Sequence, residues 1–135
     1  MRNAVALLAF TLAACAADET PLEATNVVFN RPAPGMQMSA GYLTLTNNTS
    51  EQITLTRAES PQFETVGLHQ TVIEDGVAKM IALDELKVPP KQSVHLKPGG
   101  RHLMLMGPKG DLDTVTVDFF AGDDIVLTVS ASTKD

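Results

Sequence analysis

Past residue 25 the chain is a series of short apolar–polar alternations cut by turn signals. Tyr42-Leu43-Thr44-Leu45-Thr46 sends leucines to one side and threonines mostly to the other. Val115, Val117 and Phe119 interleave with Thr116, Asp118 and Phe120, and Val126-Leu127-Thr128-Val129 runs near the end of the chain. A period of two is the signature of half-buried strands, and β-branched and aromatic residues are frequent in these runs. The pattern predicts strands at Val27–Phe29, Gly41–Thr46, Gln52–Ala58, Thr65–Ile73, Ala78–Leu83, Ser93–Leu96, His102–Met106, Thr114–Phe120 and Asp124–Ser130. The punctuation between them is RPAPG, NNTS, EDG, VPPK, KPGG, GPKGD and AGDD. No long 3.6-residue apolar period occurs after residue 25; LDELK offers one helical turn at most. Strands at this spacing predict an all-β domain, an antiparallel β-barrel or sandwich.

The first residues read differently. MRNAVALLAFTLAAC places Arg2 before an apolar run from Ala4 to Ala14 that is too short to span a bilayer. It reads as a secretory signal, and Leu12-Ala13-Ala14-Cys15 resembles the lipobox of bacterial lipoproteins, in which the Cys is acylated and becomes the first mature residue. The expected organisation is a lipoprotein signal peptide at 1–14, a lipidated Cys15 with a flexible tether at 15–24, and a single β domain at 25–135. Cys15 is the only Cys, so an exported domain has no internal disulfide and depends on its core.

At 135 residues with 44% hydrophobic residues there is material for one ordinary core. The net charge of −6 argues against a nucleic-acid binder, which would carry a basic face. Asp111/Asp113 and Asp123/Asp124 read as solvated turn residues, with no nucleophile to form a catalytic set. No nucleophile–base pair emerges, so an enzyme is not expected.

The chemistry is concentrated in His and Met. In GGRHLMLMGPKG, His102, Met104 and Met106 alternate with Leu103 and Leu105, so one strand face carries an imidazole and two thioethers. His69 opens a hairpin whose turn is EDG, and the return strand brings Met80 within a residue or two of direct opposition. His69, Met80, His102 and Met104 are the candidate metal ligands. Thioethers suit Cu(I) and add little for Mg²⁺, Ca²⁺ or Zn²⁺. With no thiolate or carboxylate in the pattern, the usual zinc sites and the blue-copper site are disfavoured. Met106 reads as packing beside the site or a spare thioether, Met36 and Met38 as loop packing, and His95 as a surface or hydrogen-bonded histidine.

The spacing His69, ten residues, Met80, twenty-one residues, His102, one residue, Met104 resembles the motif of the PCu(A)C family of periplasmic copper chaperones. RPAPGM, GYLTLTN and PGGRHLMLMG are similar to that family as well, and the likeness covers most of residues 25–130. The resemblance implies a cupredoxin-like β-barrel holding Cu(I) through these four side chains. It further implies delivery of copper towards the copper centre of cytochrome c oxidase subunit II, often alongside a thiol-based copper chaperone. No His or Met follows Met106, so the His- and Met-rich tail of some relatives has no counterpart in this chain. The expected place is the periplasm, lipid-anchored, with Ala16 after the Cys favouring the outer membrane. Copper sequestration or resistance, and a metal-free structural lipoprotein, are the rival readings.

Overall fold

The computed structural model describes residues 20–135; the expected signal peptide and Cys15 lie outside them. Eleven strands follow in order: β1 (Leu22–Asn30), β2 (Met38–Asn47), β3 (Ile53–Leu55), β4 (Arg57–Glu59), β5 (Phe63–Glu74), β6 (Val77–Ala82), β7 (Leu86–Val88), β8 (Ser93–Leu96), β9 (Arg101–Pro108), β10 (Thr114–Ala121) and β11 (Asp124–Lys134). The order β1-β11-β10-β4-β5-β9-β2 closes through a β1–β2 pairing into a seven-stranded barrel. Strand β8 extends the wall beside β2, β6 extends it beside β5, and β3 and β7 form a separate two-stranded sheet. The all-β expectation holds, with one refinement. The barrel is antiparallel except at its β1–β11 seam, where Phe29 pairs with Thr133 in parallel.

The alternation seen in the sequence is the division between inside and outside. Leu43, Leu45, Leu103, Leu105, Val115, Val117 and Phe119 are fully buried and form the core with Phe29 and Phe63. Their neighbours along each strand point away from it. Gly41 marks a close approach, because a Cβ there would stand 3.0 Å from the Phe29 ring.

Several boundaries differ from the sequence reading. Leu22–Ala24, assigned to the tether, are the first residues of β1; Leu22 is fully buried and pairs with Asn47. The polar surroundings of Leu22 and a register shift between Thr25 and Val28, with Asn26 at φ 53°, hide this strand's alternation. The LDELK turn is β7 instead, its Leu86 and Val88 buried against β3. Gln52–Ala58 is not one strand but two, β3 and β4. Met38 is not in a loop: it opens β2.

Candidate metal site

Strands β6, β5 and β9 lie side by side, and their register places the sequence-derived residues on one face. His69 pairs directly with His102, and Gly67 with Met104. On the other side of β5, Thr71 pairs with Met80 and His69 with Ala82. Directly paired residues point the same way, so all four candidates share the face opposite Leu103 and Leu105. The hairpin that returns Met80 turns at Asp75 (φ 51°) and Gly76 (φ 76°), the two left-handed positions of a tight two-residue connection. After Gln70 pairs with Arg101, the ladder between β5 and β9 ends and the β5–β6 hairpin runs on alone. Met80 stands at the base of that projection.

Burial grades across the site. His102 is 4% exposed and Met104 7%, His69 is half-buried, and Met80 is 61% exposed. The imidazole rings of His69 and His102 stand 6.0 Å apart, centroid to centroid, at 80°. Two rings bound to one ion at about 2 Å from each nitrogen have centroids up to about 6.4 Å apart, so one ion fits between them.

Each ring has a nitrogen free for that purpose. His102 Nδ1–H donates to the Gly100 carbonyl at 3.2 Å. A carbonyl can only accept, so in the neutral ring the Nε2 lone pair is left available. Among the described residues, the buried Nε2 has no hydrogen-bond partner, and neither has the buried Nδ1 of His69. Buried polar atoms are normally paired; two unpaired imidazole nitrogens on one face fit the donor set of a cation. The Gly100 carbonyl also accepts the Thr71 N–H at 3.0 Å, so one backbone oxygen ties the base of the hairpin to the orientation of His102. Burial lowers the pKa of His69 below the ordinary histidine value, and the His102 charge lowers it further. Both effects keep the ring neutral and its lone pair open to a metal.

Among the described residues no three His, Cys, Asp or Glu side chains converge as a metal-binding group. Four ligands can be assembled here only by counting the thioethers, which selects for a soft ion. His95 lies elsewhere, exposed on β8, with its Nδ1 3.0 Å from Thr44 Oγ1. The sequence reading missed Gly67. A Cβ at that position would lie 3.2 Å from His69 Nε2, so the imidazole lies over the glycine. The available signal was a glycine inside a strand pattern, which marks close approach.

The sequence profile of the LpqE-like family, described as "Putative lipoprotein LpqE-like", matches residues 22–131. The chain belongs to this family. It is 36% identical over 91 residues to an uncharacterized protein of Rickettsia prowazekii, covering 67% of this chain and 46% of that one. It is 31% identical over 107 residues to the "Putative lipoprotein Lxx21020" of Leifsonia xyli, covering 76% of this chain and 64% of that one. The chain therefore spans about half to two thirds of the length of the curated relatives it matches. Among solved structures, the copper-bound PCuAC domain from PmoF2 superposes with a TM-score of 0.67 over 84% of this chain and 92% of that domain; at 17% identity the likeness is one of fold. The Cu(I) form of DR1885 from Deinococcus radiodurans is 32% identical, with a TM-score of 0.60 over 91% and 83%. The resemblance to the PCu(A)C family seen in the sequence is borne out.

Proposed function

We propose that this LpqE-like protein is a lipid-anchored, extracytoplasmic, non-catalytic Cu(I) carrier that holds one ion through His69, Met80, His102 and Met104. The observation that carries the reading is the pair of buried, unpartnered imidazole nitrogens on a face shared with two thioethers. The DR1885 relative is described as a Cu(I) form, which supports the same cargo. Anchoring through Cys15 is supported by the family's description as lipoproteins.

The graded burial suits a carrier. His102 and Met104 give the ion a dry inner half-site, and the lowered pKa of His69 keeps proton competition at that ring small. Met80 is the open ligand, on a strand that, among the described residues, pairs only with β5. Ile73, 76% exposed, lies on the same face of the hairpin, next to Met80. An acceptor can meet the ion there and replace Met80 first, while the histidines still hold it. We infer that the acceptor is the copper centre of cytochrome c oxidase or a thiol-based copper chaperone serving it.

Anaerobic Cu(I) titration tests the assignment. One equivalent is expected to bind with nitrogen and sulfur scattering in X-ray absorption. His69→Ala and Met104→Leu are expected to weaken binding at least tenfold. The Leu variant should keep its fold, since such a swap costs under about 1.5 kcal/mol. An all-oxygen shell, or no copper retained, refutes the site. Copper that is bound but kept from an oxidase copper domain marks sequestration instead of delivery.

A further inference from the structure

Three methionines lie outside the four-residue set after the first residue of the chain: Met36, Met38 and Met106. Two of them are paired. Met38 of β2 stands directly opposite Met106 of β9, and the next pair on that face is Ala40 with Met104. Across β9, Met106 faces Thr65 and Met104 faces Gly67. The outer face is therefore built in rows. One row is Met38–Met106–Thr65, the next is Ala40–Met104–Gly67, and beyond it stand His102 and His69.

We propose that Met38 and Met106 form a second position for a soft monovalent cation, Cu(I) or its analogue Ag(I), next to the four-residue site and more open to solvent. The proposal rests on the copper reading above for its biological ion, but not for its geometry. Directly opposed residues of an antiparallel pair have Cβ atoms about 5 Å apart, close enough for two flexible thioethers to reach one ion. The pair is held in register by the Gly107 N–H, which donates to the Gln37 carbonyl at 2.8 Å. Packing does not account for Met38, which is 49% exposed; Met106 is half-buried.

The step from this pair to the histidines is clear of bulk. Rows two residues apart along a strand are separated by about 7 Å. Between the methionine pair and the histidines, Met104 is flanked only by Ala40 and Gly67. The Met106 methyl carbon lies 3.6 Å from where a Gly67 Cβ would be, and His69 Nε2 lies 3.2 Å from the same point. The Met106 thioether thus reaches over Gly67 towards His69, and a turn about its flexible side chain brings the sulfur back towards Met38. Neither row holds a carboxylate or an amine, so nothing in the pair favours a hard cation. Met36, 53% exposed, precedes β2 and has no strand partner, so it is left out of the pair.

The test is Ag(I) titration of the full chain in detergent, carrying methyl-¹³C methionine. The first equivalent is expected to shift the Met80 and Met104 methyl signals and to leave Met38 in place. A second equivalent, at least tenfold weaker because it has two thioethers in place of four ligands, should shift Met38 and Met106. The Met38→Leu variant should keep the first equivalent within twofold and lose the second. If Met80 and Met104 respond and the second equivalent moves neither Met38 nor Met106, or moves Met36 instead of Met38, the second position is refuted while the four-residue site stands. If Met80 and Met104 stay unmoved while Met38 and Met106 saturate, the four-residue reading fails and the second position stands.

Discussion

Gly67→Ala separates the needs of the fold from those of the metal. Gly67 is not among the glycines with left-handed φ, so alanine meets no backbone strain there. In a strand the exchange removes a glycine penalty of roughly 0.5–1 kcal/mol. The new methyl would stand 3.2 Å from His69 Nε2 and 3.4 Å from Cε1, which forces the ring aside by a few tenths of an ångström. Without metal this costs little, because no hydrogen bond holds Nδ1 and the ring is free to turn. With an ion fixed between His69 and His102 the ring is not free, and an off-rotamer imidazole costs about 0.5–1.5 kcal/mol. At 1.4 kcal/mol per factor of ten, Cu(I) affinity should fall by roughly two- to twelvefold, while urea unfolding of the metal-free protein shows equal or greater stability. Competition against a Cu(I) chelator under anaerobic conditions reads the first quantity. An unchanged affinity would show that the ring leaves Gly67 when it binds copper. A parallel loss of stability and affinity would show damage to β5, and either result refutes the reasoning.

Three further outcomes follow from the proposed site and anchor. His69 has a lowered pKa in the folded state, so the unfolded chain takes up the proton first as pH falls through about 6.5. Metal-free stability should therefore decline from there towards the lower folded-state value, and His69→Gln should flatten that decline; an identical pH slope in the variant would remove His69 as its source. For the same reason, His69's share of copper affinity should persist below pH 6.5 and be lost only in stronger acid. Cys15→Ser should abolish acylation and release the protein from the membrane. Because β1 begins at Leu22, residues 16–21 can place the barrel at most about 20 Å from the lipid. Mass spectrometry showing an unmodified N-terminus beyond Cys15 would refute the anchor.

Most of the strand plan was legible because each long strand exposes one face and buries the other, which leaves period two in the residues. Strands β2 and β10 declare themselves this way. What stayed hidden lacked the length to show a period. Strand β7 contributes only Leu86 and Val88 to the core, and three residues cannot be told from a helical turn. Met38 was misplaced because the face it shares with Met106 is the outer one, where burial leaves no apolar signal. The parallel β1–β11 seam depends on the closure of the whole barrel and has no local signature.

The four candidate ligands were legible for another reason: local register carries them. His102 and Met104 are two residues apart on one strand, and a two-residue turn fixes Met80 relative to His69. Only the link between β5 and β9 is long-range; their ladder makes it, and the turn before β9 adds one bond to its end. KPGG reads in the sequence as a reversal of the chain and nothing more. In the structure Gly99 takes φ 79°, Gly100 N–H donates to the Lys97 carbonyl at 3.0 Å, and the Gly100 carbonyl then faces both Thr71 and His102. The turn that ends one strand thus selects which nitrogen of His102 carries the proton and which is left for the proposed ion. A residue with a side chain at Gly99 would strain that turn. It would therefore disturb the proposed metal site without touching any of the four proposed ligands.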